Sequence, residues 1–149
     1  MKKYLLFGVV CLALILGSVW YSDFKKKQDK EIMEFVEKMD AERDIEQSAE
    51  IMKSQLPIKV DDKTTITDMR YNAENKAFVT DYTINGIENL TKAEITSIAE
   101  VLKAQKLKVA RKSENKANFL ISETSIEFDL KDANGKIYEK ILITPQEMQ

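Results

Sequence analysis

Apolar residues follow three successive patterns along the chain: one unbroken run, then helical spacing, then strand alternation. The unbroken run covers the 18 residues Tyr4 to Tyr21 and contains no charged side chain. A helix of that length would span about 27 Å, close to the hydrocarbon thickness of a bilayer. Residues 1–22 are therefore predicted to form a membrane anchor or an export signal. Its apolar and interfacial contacts are assigned to Tyr4, Leu5, Leu6, Phe7, Leu12, Leu14, Ile15, Leu16, Trp20 and Tyr21.

The processing of this segment has three alternatives. An uncleaved signal anchor is favoured over a signal peptide cleaved near Leu16-Gly17-Ser18. A lipoprotein signal ending at Cys11 is disfavoured, because branched Val10 precedes the cysteine and the apolar run continues past it.

Lysines flank the run on both sides, and they argue for opposite orientations. Lys2 and Lys3 favour a cytoplasmic N-terminus, whereas Lys25, Lys26, Lys27 and Lys30 favour a cytoplasmic C-terminal side. The short basic head resembles the start of an export signal, so the remaining chain is predicted to lie outside the cytoplasm.

Helical spacing dominates residues 23–56, which lack Gly and Pro. The apolar positions form two sets, Ile32 to Met39 and Ile45 to Leu56, and the phase slips between them. The first set predicts a stalk, and the second predicts a helix that packs on the domain formed by residues 57–149. Pro57 is expected to end this helix.

Two predicted hairpins follow, separated by a second helix. Thr64–Tyr71 and Lys76–Ile84 flank a turn at 72–75, and Thr124–Leu130 and Lys136–Ile143 flank a turn at 132–135; Ile58–Val60 is a further short extended segment. Thr91 and Glu94 form a capping box that starts the second helix, which is expected to end near Gln105. Residues 107–117 receive no assignment.

These elements predict an α+β fold. After the anchor the order is helix-strand-strand-helix-strand-strand, with a four-stranded antiparallel sheet and helices on one face.

The stretch Leu56-Pro57-Ile-Lys-Val60-Asp61-Asp62-Lys-Thr64 and the terminal hairpin ending Ile143-Thr144-Pro145 resemble a group of small, mostly uncharacterised bacterial exported proteins and lipoproteins. That group usually has a cysteine pair, which this chain lacks. The resemblance implies an envelope location and says nothing about chemistry.

Composition excludes several classes of site. The chain has no histidine, and Cys11 is its only cysteine, so zinc sites of the Cys/His type and triads with a histidine base are excluded. Without Lys2 and Lys3 the chain has 21 basic and 25 acidic residues, a net charge of −4. Such a balance argues against nucleic acid as a partner. No cofactor and no metal are predicted.

Three groups of charged residues are candidates for chemistry or binding. Lys25, Lys26 and Lys27 are predicted to contact lipid head groups. A basic run contains Lys103, Lys106, Lys108, Arg111 and Lys112, of which Lys108, Arg111 and Lys112 are the predicted partner contacts. Asp61 and Asp62 are the candidate acids of an alternative, carboxylate-based enzyme or small-ligand carrier.

The sequence thus predicts a non-enzymatic binding protein of the bacterial envelope, such as an assembly factor, an inhibitor or an immunity-type protein. Its expected partners are the membrane and another envelope protein. It is expected to be a single-pass protein of the cytoplasmic membrane with its domain facing the periplasm, or a secreted periplasmic protein if the signal is cleaved.

Overall fold

The computed structural model describes the backbone of residues 2–149 and the side chains of residues 23–149. Its elements, in chain order, are α1 Lys2–Lys53, β1 Ile58–Lys59, β2 Thr64–Asn72, β3 Ala77–Ile84, a 3₁₀ turn Ile87–Asn89, α2 Lys92–Lys112, α3 Lys116–Ile121, β4 Ser125–Lys131, β5 Ile137–Ile143 and α4 Pro145–Met148.

The chain divides into two compact units, Met1–Glu37 and Lys38–Gln149. In the first unit, Phe24, Ile32 and Phe35 are 58–64% exposed. Within the part of the chain whose side chains are described, no helix is long and apolar enough to cross a membrane. The predicted anchor, Tyr4 to Tyr21, lies outside that part.

The second unit is built on a mixed sheet of five strands in the order β1-β2-β3-β4-β5, so the predicted four-stranded antiparallel sheet is wrong in two respects. First, β1 pairs with β2, with Ile58 opposite Ile66, and forms the additional edge strand. Second, β3 and β4 are parallel, with Phe78 opposite Ile126. The helices α2 and α3 lie between these strands in sequence, and such a crossover allows the chain to start β4 in the same direction as β3.

One face of the sheet forms the core, because alternate residues of a strand point to the same side. Phe78 and Met69 pack with Ile45 and Ala49 of α1. The larger cluster joins Tyr82, Phe128, Leu130, Ile141 and Ile143 of the sheet to Ile95, Ala99 and Ala110 of α2. Leu130 and Ile143 are 0% exposed, and burying each contributes about 2 kcal/mol. The expected α+β fold with helices on one face of the sheet is therefore observed.

The second helix starts as predicted and ends later. Thr91 caps α2, and its hydroxyl and backbone N–H form the reciprocal bonds of a capping box with Glu94. The helix continues past Gln105 to Lys112, because Leu107 and Ala110 on its next turns pack against the core. Part of the unassigned segment 107–117 thus belongs to α2, and its end begins α3 at Lys116.

Candidate functional site

Two adjoining depressions run along α2 on the helix-covered side of the sheet. The first has a volume of about 400 Å³ and lies between Met52 of α1 and Val109 of α2, above Phe128. The second, of about 480 Å³, lies between Val101 of α2 and Val60, which follows β1. Both are lined by Tyr82 and Lys106. We refer to the two together as the α2 groove.

The walls of the groove are apolar and exposed. The residues of α2 and its C-cap that line it extend from Ser97 to Ser113, which corresponds to about 24 Å along the helix axis. Five large apolar side chains on these walls are open to solvent: Met52 (40%), Val60 (53%), Ile98 (38%), Val101 (58%) and Val109 (65%). Exposed apolar side chains grouped in this way are typical of a binding site.

Lys106 lies near the middle of the groove. Its Nζ is 5.5 Å from the centroid of the Tyr82 ring and 5.9 Å from that of Phe128. Among the side chains that the structure describes, no carboxylate lies within 4.0 Å of this amine. The amine therefore rests on two aromatic rings without an acidic partner, and it can pair with an anionic group that enters the groove.

The opposite face of the sheet has an ion-paired network centred on Arg70. The Arg70 guanidinium is 3.0 Å from Asp68 and from Asp81, and 3.6 Å from Asp129. Lys131 pairs with Asp81, and Lys140 with Glu127 at 2.8 Å and with Asp129 at 3.6 Å. Each acid of this network thus has a cation beside it.

Asp129 is the most buried acid of the network, with 1% of its side chain exposed. Neither of its carboxylate oxygens accepts a hydrogen bond from the described residues. Burial, with a smaller contribution from the neighbouring Glu127 carboxyl, raises the pKa of Asp129. For Glu127, burial is the largest single influence and favours the neutral form, but the combined effects of Lys140, Asp129 and Arg70 outweigh it and leave the pKa of Glu127 lowered.

The two acids of the alternative enzyme prediction lie in a surface turn. The Asp61 carboxylate accepts hydrogen bonds from the backbone N–H groups of Lys63 (2.8 Å) and Thr64 (2.7 Å), which lower its pKa. The Asp62 side chain is fully exposed and 3.2 Å from Lys59. Asp61 therefore shapes the turn before β2. Across residues 23–149 no three His, Cys, Asp or Glu side chains are arranged to hold a metal ion.

The predicted basic contacts lie apart from the groove. Lys108 and Lys112 are exposed, whereas Arg111 donates a hydrogen bond to the Glu147 carbonyl (2.9 Å) and so joins α2 to α4. Lys25, Lys26 and Lys27 are exposed in the first unit. Their roles in lipid or partner binding remain predictions.

Lys106 is not among the predicted partner contacts, although its spacing in the sequence indicates that it lies within an apolar helix face. Leu102, Lys106 and Val109 are spaced by four and three residues, which places them on one face of a helix. A lysine within an apolar stripe differs from the exposed lysines around it, but the stripe is visible only if α2 is continued past Gln105.

No protein-family model and no curated protein sequence match this chain. Solved structures with a similar fold include the following two. A candidate secreted protein from Pseudomonas aeruginosa matches with a TM-score of 0.60 at 6% identity, over 76% of this chain and 96% of that one. The pilotin of the type 2 secretion system of Vibrio vulnificus matches with a TM-score of 0.56 at 10% identity, again over 76% and 96%. At these identities the similarity concerns the fold.

Proposed function

We propose that this chain is a non-enzymatic binding protein of the bacterial envelope that holds an apolar segment of another envelope protein in the α2 groove. The observation that supports this most directly is the pair of exposed apolar walls along α2, with Val101 and Val109 on one side and Met52 and Val60 on the other. Leaving these side chains in water has a free-energy cost that a bound partner removes.

Two features outside the groove support a role in the envelope: the N-terminal sequence and the similarity of the fold to a pilotin. The uncharged run Tyr4 to Tyr21 supports an anchor that keeps the domain at the membrane surface, and Lys25 to Lys27 would meet anionic head groups there. A pilotin of a secretion system has a similar fold, which is compatible with an assembly role for this chain. Anchoring raises the local concentration of the domain near membrane-bound partners.

Site-specific photo-crosslinking in the native cells tests the binding role. A photoreactive residue at Val101 or Val109 of the full chain should crosslink to one envelope protein, within an apolar segment identified by mass spectrometry. The matched control is the same residue at Leu142 of β5, which is 45% exposed and does not line the groove. Equal crosslinking at Leu142 would contradict the proposal, as would crosslinks that persist after Met52→Glu.

The location is tested separately by protease accessibility. We expect a C-terminally tagged full chain to be digested when the outer layer is permeabilised and the cytoplasmic membrane is intact. The mass of the mature chain distinguishes an anchor from a cleaved signal. Protection of the tag would place the domain in the cytoplasm.

A further inference from the structure

We infer that the occupant of the α2 groove is an amphipathic helix of about 16 residues whose central turn presents an acidic side chain to Lys106. This inference rests on the proposed function and adds the chemistry of the partner. Three features of the groove support it: its length, the scarcity of free backbone N–H and C=O groups on its walls, and the Lys106 amine at its centre, which has no acidic partner among the described side chains.

The groove suits a helix better than an extended strand. An extended peptide has free backbone N–H and C=O groups, and burying them without partners is costly. The backbone groups of α2, and of α1 beside the first depression, are bonded within each helix, and beside the second depression the backbone N–H groups of Val60 and Asp61 both donate to the Thr64 carbonyl. The sheet edge beside it, β1, is only two residues long and offers little for strand addition. A helix satisfies its own backbone and presents an apolar stripe to the walls.

The two depressions are arranged for contacts on both sides of a charge. Lys106 lines both of them, with Val101 and Ile98 towards one end of α2 and Val109 towards the other. An incoming helix would bury apolar residues in each depression and enclose Lys106 between them. An ammonium group that loses its water without gaining an anionic partner destabilises a complex. A helix with a carboxylate opposite Lys106 is therefore favoured over a helix with a neutral side chain at that position.

The other charged groups that line the groove differ from Lys106. Asp44 is on the exposed surface of α1, at the rim of the first depression. Asp61, in the second, has its carboxylate occupied by the turn before β2. Lys106 is the half-buried charge that lines both depressions, and it is therefore the residue that selects the sign of the partner's charge.

Fluorescent synthetic helices of about 16 residues provide the test, with Glu, Gln or Lys at the central position beside a Leu stripe. Their affinity is measured by anisotropy for the full chain in nanodiscs of neutral lipid, and empty nanodiscs correct for binding to lipid. We expect the Glu peptide to bind about fivefold more tightly than the Gln peptide, in keeping with a charge-assisted pair. Lys106→Met should abolish that difference, and Lys106→Glu should favour the Lys peptide.

Two further variants separate this inference from the proposed function. Lys92→Glu makes the same charge change at the exposed start of α2, outside the groove, and should preserve the order Glu over Gln over Lys. Val109→Glu obstructs the groove and should weaken all three peptides. Equal affinity of the three peptides, all weakened by Val109→Glu, would overturn the pairing with Lys106 and leave groove binding supported.

Two other results would contradict more than the pairing with Lys106. If no peptide binds above the level of empty nanodiscs, both the groove function and the pairing are contradicted. If a fluorescent long-chain fatty acid binds more tightly than every peptide and loses affinity in Lys106→Met, the occupant is an anionic lipid and the helix inference is wrong.

Discussion

Arg70 holds its guanidinium 3.0 Å from the carboxylate of Asp81, on the face of the sheet opposite to α2. Asp81 is 7% exposed and Asp129, 3.6 Å from the same guanidinium, is 1% exposed. Arg70 is therefore the cation shared by two buried acids on adjacent central strands. Removing it would leave Asp81 with Lys131 alone and Asp129 with Lys140 alone, in a site that water reaches only slightly.

The first prediction is that Arg70→Met lowers the free energy of unfolding by about 1–3 kcal/mol, below the full cost of breaking a buried pair because Arg70 itself is partly exposed. Urea unfolding of the full chain in neutral detergent measures this. Lys59→Met is the matched control, since its side chain is 67% exposed and that of its partner Asp62 fully exposed, and it should change the midpoint little. Equal effects of the two variants would mean that the Arg70 network contributes little.

The second prediction concerns the core beneath α2. Leu130→Ala should destabilise the chain by about 3 kcal/mol, because it removes a fully buried side chain and leaves a cavity. Leu142→Ala on the adjacent β5 makes the same chemical change at a 45% exposed position and should cost less than about 1 kcal/mol. The difference in urea midpoint between the two variants is the measurement, and similar midpoints would contradict the placement of the core.

The third prediction is a loss of α4 attachment in acid. The Lys103 amine, 2.7 Å away, and the Thr144 backbone N–H hold the pKa of Glu147 below its ordinary value. A carboxyl whose pKa is lower in the folded state stabilises it above the unfolded pKa, about 4.3, and loses that contribution as the pH falls through the folded pKa. Hydrogen-exchange protection at Met148, which is fully buried, should therefore fall as the pH drops below about 4.

Glu147→Gln provides the comparison for this pH dependence. It should lower the protection of α4 at neutral pH and flatten its acid dependence, whereas Glu74→Gln in the surface turn after β2 should retain the wild-type profile. A Glu147→Gln profile that still declines steeply between pH 5 and 3 would assign the acid loss to another group.

The fourth prediction separates stability from binding at the groove. Val101→Ser and Val109→Ser replace side chains that are 58% and 65% exposed, so each should change the free energy of unfolding by less than about 0.5 kcal/mol. With a photoreactive residue placed at Met52 on the facing wall, the same variants should weaken crosslinking to the partner, because they remove apolar surface that a partner would cover. A large loss of stability in either variant would show that these residues support the fold.

Several elements could be predicted because their signals are local. The capping box of Thr91 and Glu94 lies within four residues, and α2 begins where it indicates. The strands β2 to β5 lie within about a residue of the predicted segments, since alternation and turn residues act over a single hairpin. A similar capping box at Thr144 and Glu147 was missed because Thr144-Pro145 was interpreted only as the end of β5.

The pairing of the strands and the groove required the folded chain. Hairpin signals say which strands are joined by turns, but not which strand of one hairpin lies beside the other; the crossover through α2 and α3 makes β3 and β4 parallel neighbours. The end of α2 depended on Ala110, whose burial comes from contacts with the sheet. The position of Lys106 over the rings of Tyr82 and Phe128 likewise depends on contacts between α2 and the sheet.

The sequence by itself determined the uncharged N-terminal run, the absence of histidine chemistry, the α+β class and the starts of α2 and of β2 to β5. These follow from composition and from periodicities of two to four residues, which depend only on neighbours in the chain. Only the tertiary structure decided the fifth strand, the parallel pair, the Arg70 network and the α2 groove. Each of these joins residues distant in sequence, and their contacts arise when the sheet and helices bury their apolar faces together.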